Sequence, residues 1–363
     1  MTIMHIVGNR PQFIKLSLLH RALSRETGVS SRIIHTGQHF ADDMSAIFFR
    51  ECGIPEPDHY LQVHSLPHAV MIGEMLIRLD GVLAAERPDA IVVYGDTNTT
   101  LAGALAARKR NIPLMHVEAG IRTGEADMPE ESNRYVTDRL ADLNFACTPL
   151  GAANLLKEGM PATRVFETGD LMLDAALHFA APARSSSTFA VGLGVSAGPF
   201  VLATVHRAEN IDRPAALAAI VRALNSIHPD IPVVFPMHPR TEQVIREQGL
   251  DPKWLCCPPV GYMDMLALVQ AASYVITDSG GLSREAFFFH KPSVIVMNRP
   301  FWPEILANGP SLTAPADEEL IVARFRALTH AGRTFDTSPF GNGHAADVIS
   351  RLILEYLWSR PNE

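Results

Sequence analysis

The sequence predicts an α/β protein of two domains, each built around a parallel sheet. Short apolar runs alternate with amphipathic stretches of helical length along most of the 363 residues, which is the pattern of repeated βαβ units. The apolar runs lack strict apolar–polar alternation, as expected for strands covered by helices on both faces. A chain of this length also corresponds to two domains at about 150 residues per domain.

The first half of the chain carries six predicted strands with helical patterns between them. The strands are Met4–Gly8, Arg32–His35, Ala90–Tyr94, Pro113–Val117, Asn144–Cys147 and Arg164–Glu167. The helical patterns lie near Phe13–Glu26, Pro67–Arg87, Leu101–Arg110, Glu131–Ala141 and Leu150–Glu158.

The alternation breaks at Ala180–Gly198, which contains a Pro/Ser-rich segment of loop composition. A second series follows, with strands at Phe200–Thr204, Pro232–Pro236, Trp254–Cys257, Tyr274–Thr277 and Ser293–Met297 and helices near Pro214–Ile227, Met263–Ala271 and Leu282–Phe288. The last stretch, Ala345–Trp358, predicts an amphipathic helix that crosses back to the first domain. We therefore predict one domain of residues 1–170 plus 345–363, a second of residues 171–344, and a ligand cleft between them.

Composition excludes several function classes. A hydrophobic fraction of 47% with 19% charged residues excludes a mostly disordered chain. The net charge of −8 makes nucleic acid and anionic membranes poor partners, and no apolar run approaches the roughly 20 residues that span a bilayer. The start does not resemble a signal peptide, and the four cysteines form no CxxC pair. We expect a cytoplasmic protein without a metal site.

Two basic residues follow the first strand. Arg10 comes directly after the strand end, and Lys15 lies about one helical turn later. At the carboxyl edge of a sheet both could contact an anion. The alternative is a surface turn with a solvated arginine.

Three acidic residues of the first half are candidates for acid–base chemistry. Asp96 follows the third main strand, where it could instead cap the next helix. Glu118 follows the fourth among apolar neighbours, where a carboxylate is costly unless paired, and Arg122 is a candidate partner in a purely structural ion pair. Glu130 opens the next helix, where acidic residues also serve as ordinary partners of the helix dipole.

The second half offers groups that bind phosphate. His206 follows its first strand as part of a His-Arg pair. In the segment containing Ser279, Gly280 and Gly281 a strand ends and a helix begins, so backbone N–H groups and the helix dipole can hold an anion. Glu285, farther along that helix, could accept hydrogen bonds from ribose hydroxyls.

No cofactor is predicted. No GxGxxG fingerprint follows the first strand and no GxxxxGK[ST] sequence is present, which argues against a dinucleotide cofactor and against a P-loop. The acids of the first half and the phosphate ligands of the second half predict an enzyme that acts on a phosphorylated or nucleotide-linked substrate.

Nine short motifs span nearly the whole chain: Gly8–Gln12, Thr36–His39, Gly95–Thr97, His116–Arg122, Pro129–Arg134, His206–Asn210, His238–Pro239, Asp278–Glu285 and Gly341–Ala345. In this order they resemble the non-hydrolysing UDP-N-acetylglucosamine 2-epimerase family, whose forms are GTRPE, TGQH, GDT, HVEAGLR, PEExNR, HRxEN, HP, DSGGxQEE and GxGxA. The resemblance implies a GT-B-like fold, in which two Rossmann-like domains have parallel sheets that face each other across a cleft. It also implies a UDP-sugar substrate, and relatives in this family are often homodimers.

The implied reaction inverts C2 of UDP-N-acetylglucosamine to give UDP-N-acetylmannosamine, by anti-elimination of UDP and its re-addition on the other face. The resemblance assigns acid–base chemistry to Asp96, Glu118 and Glu130. It assigns diphosphate-side or catalytic roles to Arg10, Lys15 and His206, the phosphate-binding turn to Ser279, Gly280 and Gly281, and the ribose contact to Glu285.

Several positions depart from the family pattern. Gln12 replaces a glutamate, Ser283-Arg284 replaces Gln-Glu, and Asp170 stands where relatives have asparagine. Met297–Glu304 stands where relatives have RxxTERPE and keeps only the closing Pro-Glu. These departures leave open a 2-epimerase for a modified UDP-acetamido sugar, such as a diacetamido-uronate or a 6-deoxy sugar.

Three further alternatives remain. A hydrolysing 2-epimerase would release free N-acetylmannosamine and UDP, although the Arg10-Pro11 pair favours the non-hydrolysing branch. A GT-B glycosyltransferase or a non-catalytic nucleotide-sugar binder would have no need of three such acids.

Overall fold

The computed structural model describes residues 1–38, 42–125, 128–187, 189–195 and 198–360. The chain divides into two α/β units. Unit 1 comprises Met1–Ala175 and Ser338–Glu363, and unit 2 comprises Ala176–Thr337. The two units confirm the predicted pair of Rossmann-like domains with parallel sheets.

Unit 1 is organised by a seven-stranded sheet with the order β3-β2-β1-β4-β5-β6-β7. Every strand pairs in parallel with its neighbours. The strands are β1 (Thr2–Val7), β2 (Ser30–His35), β3 (His59–Tyr60), β4 (Ala90–Tyr94), β5 (Leu114–Val117), β6 (Leu143–Ala146) and β7 (Val165–Glu167). The central strands are almost entirely buried, which explains their continuous apolar runs.

Helices of unit 1 connect consecutive strands and cover the sheet. They are α1 (Arg10–Leu23), α2 (Asp42–Glu51), α3 (His68–Glu86), α4 (Asn98–Lys109), α5 (Pro129–Leu140), α6 (Pro149–Lys157), the 3-10 turns Ala162–Arg164 and Ser338–Phe340, and the C-terminal α16 (Ala345–Trp358). The terminal helix packs against α1 through its buried apolar face, so the chain end returns to unit 1. His39 of the predicted motif lies outside the described residues.

Unit 2 repeats the scheme with a six-stranded parallel sheet of order β10-β9-β8-β11-β12-β13. Its strands are β8 (Val201–Thr204), β9 (Val233–Pro236), β10 (Leu255–Cys257), β11 (Tyr274–Thr277), β12 (Ser293–Val296) and β13 (Ser311–Ala314). Its helices are α8 (Phe189–Gly192), α9 (Ala208–Ile211), α10 (Pro214–Ile227), α11 (Pro239–Glu247), α12 (Tyr262–Ala271), α13 (Gly280–Phe288), α14 (Pro303–Ala307) and α15 (Glu318–Thr329).

The predicted break at Ala180–Gly198 is partly wrong. Helix α7 (Leu171–Ser186) runs into this segment with Pro182 inside it. Proline removes one helical hydrogen bond, but the helix buries apolar side chains on either side of Pro182, including Phe179 and Ala183. Burial of that face therefore outweighs the local loop composition.

The strand order places one topological switch point in each unit. In unit 1 the chain leaves β1 toward β2 on one side and β4 lies on the other, and in unit 2 the strands β8 and β11 stand in the same relation. Doubly wound sheets bind ligands outside the carboxyl ends of such strand pairs. Among the described residues, no helix is both long and apolar enough to cross a bilayer.

Candidate functional site

At the carboxyl end of β5, Glu118 forms a buried ion pair with Lys15 of α1. Both side chains are at least nine-tenths buried. A Cβ atom on Gly95, after β4, would lie 3.7 Å from Oε1 of Glu118 and 3.8 Å from Nζ of Lys15. The ion pair therefore lies directly beside the turn that carries Asp96.

The backbone of Glu118 is strained. Its φ of 69° falls in the left-handed region, which costs a residue other than glycine free energy and is typical of functional sites. Its N–H and that of Ala119 both donate to the carbonyl of Phe145 at 3.1 Å. These bonds hold the backbone after β5, and the ion pair with Lys15 holds the carboxylate.

Asp96 is held by two neighbouring residues of α5. Nε of Arg134 donates to the Asp96 carboxylate at 3.0 Å, and Nδ2 of Asn133 donates to its backbone oxygen at 2.8 Å. Arg134 also donates to Glu131 at 2.6 Å. Burial lowers the pKa of Arg134, but the charges of Asp96 and Glu131 overcome this effect and raise it.

The two adjacent glutamates that open α5 differ in environment. Glu131 is buried and accepts hydrogen bonds from the backbone N–H groups of Thr123 at 3.2 Å and Gly124 at 3.1 Å. Burial raises the pKa of Glu131, but these donors and Arg134 lower it more. Glu130 is only partly buried, so its predicted acid–base role stays a prediction.

The structure does not support the alternative in which Glu118 forms a structural ion pair with Arg122, because Glu118 is paired with Lys15. Arg122 instead forms ion pairs with Asp138 and Glu158, each at 2.7 Å. Nδ1 of His116 lies 2.7 Å from the carboxylate of Asp138, and Nε2 of that ring lies 2.7 Å from the carbonyl oxygen of Gly95. Arg122 therefore belongs to a network that fixes the Gly95 turn.

Gln12 joins the two turns at the switch point of unit 1. Its Oε1 accepts from the N–H of Gly8 at 2.7 Å, and its Nε2 donates to the carbonyl of Tyr94 at 2.8 Å and to the Thr100 hydroxyl at 3.0 Å. An ionised glutamate could not donate to that carbonyl. Arg10 begins α1 beside this turn, with its guanidinium 4.7 Å from the ring centre of Phe48.

In unit 2 the fully buried Asp278 organises the end of β8. Its carboxylate accepts backbone N–H bonds from His206 at 3.1 Å and Arg207 at 2.9 Å, and a side-chain bond from Asn210 at 3.0 Å. Nδ1 of His206 lies 3.3 Å from the same carboxylate. The half-exposed imidazole of His206 is therefore oriented by a buried acid.

The predicted anion-binding turn begins α13. Ser279 is its N-cap and accepts from the N–H of Leu282 at 3.2 Å, and Gly280 and Gly281 are the first two helical residues. The N–H groups of a first helical turn have no partner within the helix and attract anions. A Cβ on Gly280 would lie 3.4 Å from the Phe301 ring, so that ring packs against the start of α13.

The segment with the strongest departures packs beside this turn. The guanidinium of Arg207 lies 4.4 Å from the Phe301 ring centre, and that of Arg284 lies 4.0 Å from the Trp302 ring centre. Arg284 and Trp302 are both buried. Glu285, the predicted ribose ligand, is also buried, with 5% of its surface exposed.

Sequence reasoning missed three residues that position the candidates. Asp278, Arg134 and Gln12 each stood within a recognised motif, yet none was predicted as a site residue. The sequence shows each of them only as a polar residue at a strand end or a helix start. The tertiary contacts identify the groups to which each one bonds.

One group of residues in unit 1 contains atoms that can ligate metals. Three such atoms lie within 4.8 Å of one another, one each from Glu118, Cys147 and Asp170. Lys15 already supplies a cation to Glu118. The expectation of no metal site stays a prediction.

Comparison with known proteins identifies relatives over the whole chain. The family model described as UDP-N-acetylglucosamine 2-epimerase matches residues 21–354. A UDP-2,3-diacetamido-2,3-dideoxy-D-glucuronate 2-epimerase of Pseudomonas aeruginosa is 44% identical over 358 residues, covering 97% of this chain and 99% of that protein. A UDP-N-acetylglucosamine 2-epimerase of Methanocaldococcus jannaschii is 36% identical, covering 96% of this chain and 97% of that protein.

Solved structures agree with this relationship. The crystal structure of the M. jannaschii UDP-GlcNAc 2-epimerase in complex with UDP-GlcNAc and UDP matches with a TM-score of 0.92 at 36% identity, covering 98% of this chain and 100% of that chain. The Neisseria meningitidis UDP-GlcNAc 2-epimerase bound to UDP-GlcNAc matches with a TM-score of 0.88 at 25% identity, covering 98% and 100%. The GT-B-like fold class is thereby confirmed.

Proposed function

This chain belongs to the UDP-N-acetylglucosamine 2-epimerase family, and on that premise we propose that it inverts C2 of a UDP-linked 2-acetamido sugar by anti-elimination and re-addition of UDP. Residues 1–170 plus 345–363 supply the acid–base chemistry, and residues 171–344 bind UDP. The observation that carries this proposal is the buried Glu118–Lys15 ion pair beside the Asp96 turn. A homodimer and a cytoplasmic location belong to the same proposal.

The first requirement is a group that removes the weakly acidic proton on C2. A carboxylate does this best where water is excluded and its position is fixed. Glu118 meets both conditions, because it is buried and held by the buried Lys15. Asp96 is partly exposed, and the buried Arg134 fixes its position. With Glu130 they supply the groups that take and return protons during elimination and re-addition.

The second requirement is stabilisation of UDP as it leaves with negative charge. The first-turn N–H groups at Gly280 and Gly281 suit the diphosphate, with Ser279 as the N-cap. His206, oriented by Asp278, adds a polar or cationic group, and Glu285 takes the ribose. Arg10 and Lys15 complete the cationic groups on the diphosphate side.

Two substrates follow from the relatives: UDP-N-acetylglucosamine, giving UDP-N-acetylmannosamine, and UDP-2,3-diacetamido-2,3-dideoxy-D-glucuronate. The relative named for the second is 44% identical, against 36% for the M. jannaschii enzyme, each over 358 aligned residues, which favours the diacetamido-uronate. The altered Met297–Glu304 segment and the Ser283-Arg284 pair point the same way, because both lie beside the diphosphate turn.

The test is proton NMR of each UDP-sugar incubated with the protein in deuterium oxide. We expect deuterium at C2 and an intact 2-epimer of the UDP-sugar, with a higher kcat/KM for the diacetamido-uronate. A higher kcat/KM for UDP-N-acetylglucosamine would reverse the substrate preference. Free N-acetylmannosamine with UDP would establish hydrolysis instead, and no exchange with either sugar would refute the proposed reaction.

A further inference from the structure

The side-chain amide of Gln12 lies between the turns that follow β1 and β4, the two strands of the switch point in unit 1. Only 2% of Gln12 is exposed. Its Oε1 accepts the N–H of Gly8 at 2.7 Å, and its Nε2 donates to the carbonyl of Tyr94 at 2.8 Å. Gly8 leads into Arg10, and Tyr94 leads into Asp96. One buried amide therefore connects the turn of a proposed diphosphate ligand with the turn of a proposed acid–base group.

The surrounding groups determine which end of this amide faces which turn. The N–H of Gly8 can only donate, so an oxygen must face it. The Thr100 hydroxyl donates to the carbonyl of Tyr94 at 2.6 Å, so its oxygen accepts from Nε2 of Gln12 at 3.0 Å. Nε2 therefore faces two acceptors, and the two N–H groups of an amide match them.

The donor end of Gln12 contacts the Asp96 turn on both sides. Tyr94 precedes Gly95 and Asp96, Thr97 follows them, and Nε2 lies 3.1 Å from the hydroxyl oxygen of Thr97. Thr97 is also the N-cap of α4, and Gly95 has a φ of 64°. The position of the Asp96 backbone therefore depends on hydrogen bonds from this side chain as well as from α5.

We propose that Gln12 is a positioning residue whose two ends act separately. Its oxygen holds the Arg10 turn, which serves the diphosphate, and its nitrogen holds the Asp96 turn, which serves proton transfer. The inference rests on the proposed roles of Arg10 and Asp96, and Gln12 itself need not contact the sugar. An amide donates hydrogen bonds at every pH, whereas a carboxyl group donates only while it is protonated.

The family motif carries a glutamate at this position, so Gln12→Glu is a variant of matching shape that changes the donor end alone. One carboxyl oxygen still accepts from Gly8. The other faces Tyr94 and Thr100, to which it donates one hydrogen bond while protonated and none once ionised. Burial disfavours the ionised form, so the introduced group should keep its proton to a higher pH than an exposed glutamic acid.

The partners of the Gln12 side chain in the described part of the chain are uncharged: one N–H, one carbonyl and two hydroxyl groups. The ionisable groups on the elements around it are Arg10, Lys15, Asp96, Glu118 and Arg134. Ion pairs join Glu118 to Lys15 and Asp96 to Arg134. The proton of the introduced carboxyl group is therefore the one that a pH titration of the variant adds to that of the parent.

The experiment measures kcat and UDP affinity for Gln12→Glu and for the parent protein between pH 6 and pH 8.5. As the introduced carboxyl group ionises, kcat should fall about tenfold or more relative to the parent. UDP affinity measured by calorimetry should stay within about threefold of the parent, because the bond to Gly8 is kept. A merely structural role would lower both quantities together, and that result would overturn the proposal.

Gln270→Glu is the matched control. Nε2 of Gln270 donates to the carbonyl of Ala180 at 3.0 Å in unit 2, so this variant loses the same kind of bond but should keep the pH profile of the parent. Thr100→Ala removes an acceptor of Nε2 without adding a titratable group, so kcat should fall at every pH while UDP affinity is kept. A parent-like pH profile in Gln12→Glu, an equal change in Gln270→Glu, or an unchanged kcat in Thr100→Ala would overturn the proposal.

Urea unfolding separates this inference from the proposed reaction. Unfolded Gln12→Glu loses the new proton at about pH 4.3, whereas the folded variant keeps it to a higher pH. Relative to the parent, its free energy of unfolding should therefore fall as the pH rises from 5 to 8. If that fall appears but the parent epimerises no UDP-sugar, the connection between the turns stands and the proposed function fails. If the parent epimerises a UDP-sugar and the variant shows neither change with pH, the proposed function stands and the role of Gln12 is refuted.

Discussion

The two units share the same kind of topological switch point, but the groups that surround the carboxylates at that point differ. At the switch point of unit 1, the buried carboxylate of Glu118 is paired with a cation, the ammonium group of Lys15. At the switch point of unit 2, the buried carboxylate of Asp278 is saturated with N–H donors, and the next turn offers the backbone N–H groups of Gly280 and Gly281. Equal strand order therefore does not imply equal chemistry, because the side chains after each strand decide it.

This contrast suggests a division of labour. Paired, desolvated acids suit proton transfer, whereas backbone donors at a helix start suit an anion of fixed shape. If the division is real, substitution of the carboxylates in unit 1 should affect turnover more than UDP affinity, and substitution of the residues that hold the anion-binding turn in unit 2 should do the reverse.

The largest expected effect is that of Glu118→Gln. Removing a positioned acid–base group costs about 10²–10⁴-fold in rate, and glutamine keeps the volume of the side chain. We expect kcat to fall within that range, measured by NMR, while UDP affinity measured by titration calorimetry stays within about threefold, well under 1.4 kcal/mol.

Glu158→Gln is the control for that variant, because it removes only a partly exposed partner of Arg122 and should leave kcat unchanged. A loss of UDP affinity in Glu118→Gln without a loss of turnover would remove the contrast between the units.

A smaller and opposite effect is expected for Asp278→Asn. The amide nitrogen of the new asparagine would face some of the three N–H donors that now bond to the Asp278 carboxylate. Such a donor left without an acceptor costs about 1–3 kcal/mol. Because these donors hold His206 and the segment after β8, UDP should bind roughly tenfold or more weakly, as measured by calorimetry.

The matched variant is Asp212→Asn, since Asp212 forms an exposed ion pair with Arg240 at 2.6 Å, and its loss should have little effect. Unchanged UDP affinity in Asp278→Asn would mean that the buried acid has no part in holding the UDP site.

The third expected effect concerns stability and pH in unit 1 and leaves turnover and UDP affinity at neutral pH unchanged. His5 is buried between the hydroxyls of Tyr94 at 2.7 Å and Ser31 at 2.9 Å. Burial, aided by His20, lowers the pKa of His5 from 6.5 to about 3. The unfolded chain therefore binds a proton below pH 6.5 that the folded unit refuses, so unfolding becomes easier as the pH falls from 6.5 toward 3 by about 1.4 kcal/mol per pH unit.

Urea unfolding followed at pH 7 and pH 5 tests this expectation. Between pH 7 and pH 5 the free energy of unfolding should fall by about 2 kcal/mol less in His5→Gln than in the parent protein. Substitution of the exposed His330 by Gln should not change this fall. An equal pH dependence in the parent and in His5→Gln would show that another group makes unit 1 sensitive to acid.

The sequence predicted the ends of the central strands better than it predicted the short strands and helix α7. The ends of β1, β4, β5, β8 and β11 were predicted nearly to the residue, because buried parallel strands are continuous apolar runs bounded by polar turns. The shortest strand, β3, and the edge strand β13 were missed, since two or four residues carry little pattern. Helix α7 was not predicted, and its second half was assigned to a loop because Pro182 and the serines after it dominated the local composition.

The sequence by itself determined the α/β class, the family and the polar residues that follow each strand, because these depend on local pattern and on motif order. Only the tertiary structure decided which residues meet: Lys15 rather than Arg122 lies beside Glu118, and Asp170 lies close to it. The physical reason is that electrostatic partnership depends on distance and burial. Folding brings together strand ends that lie tens of residues apart in the chain.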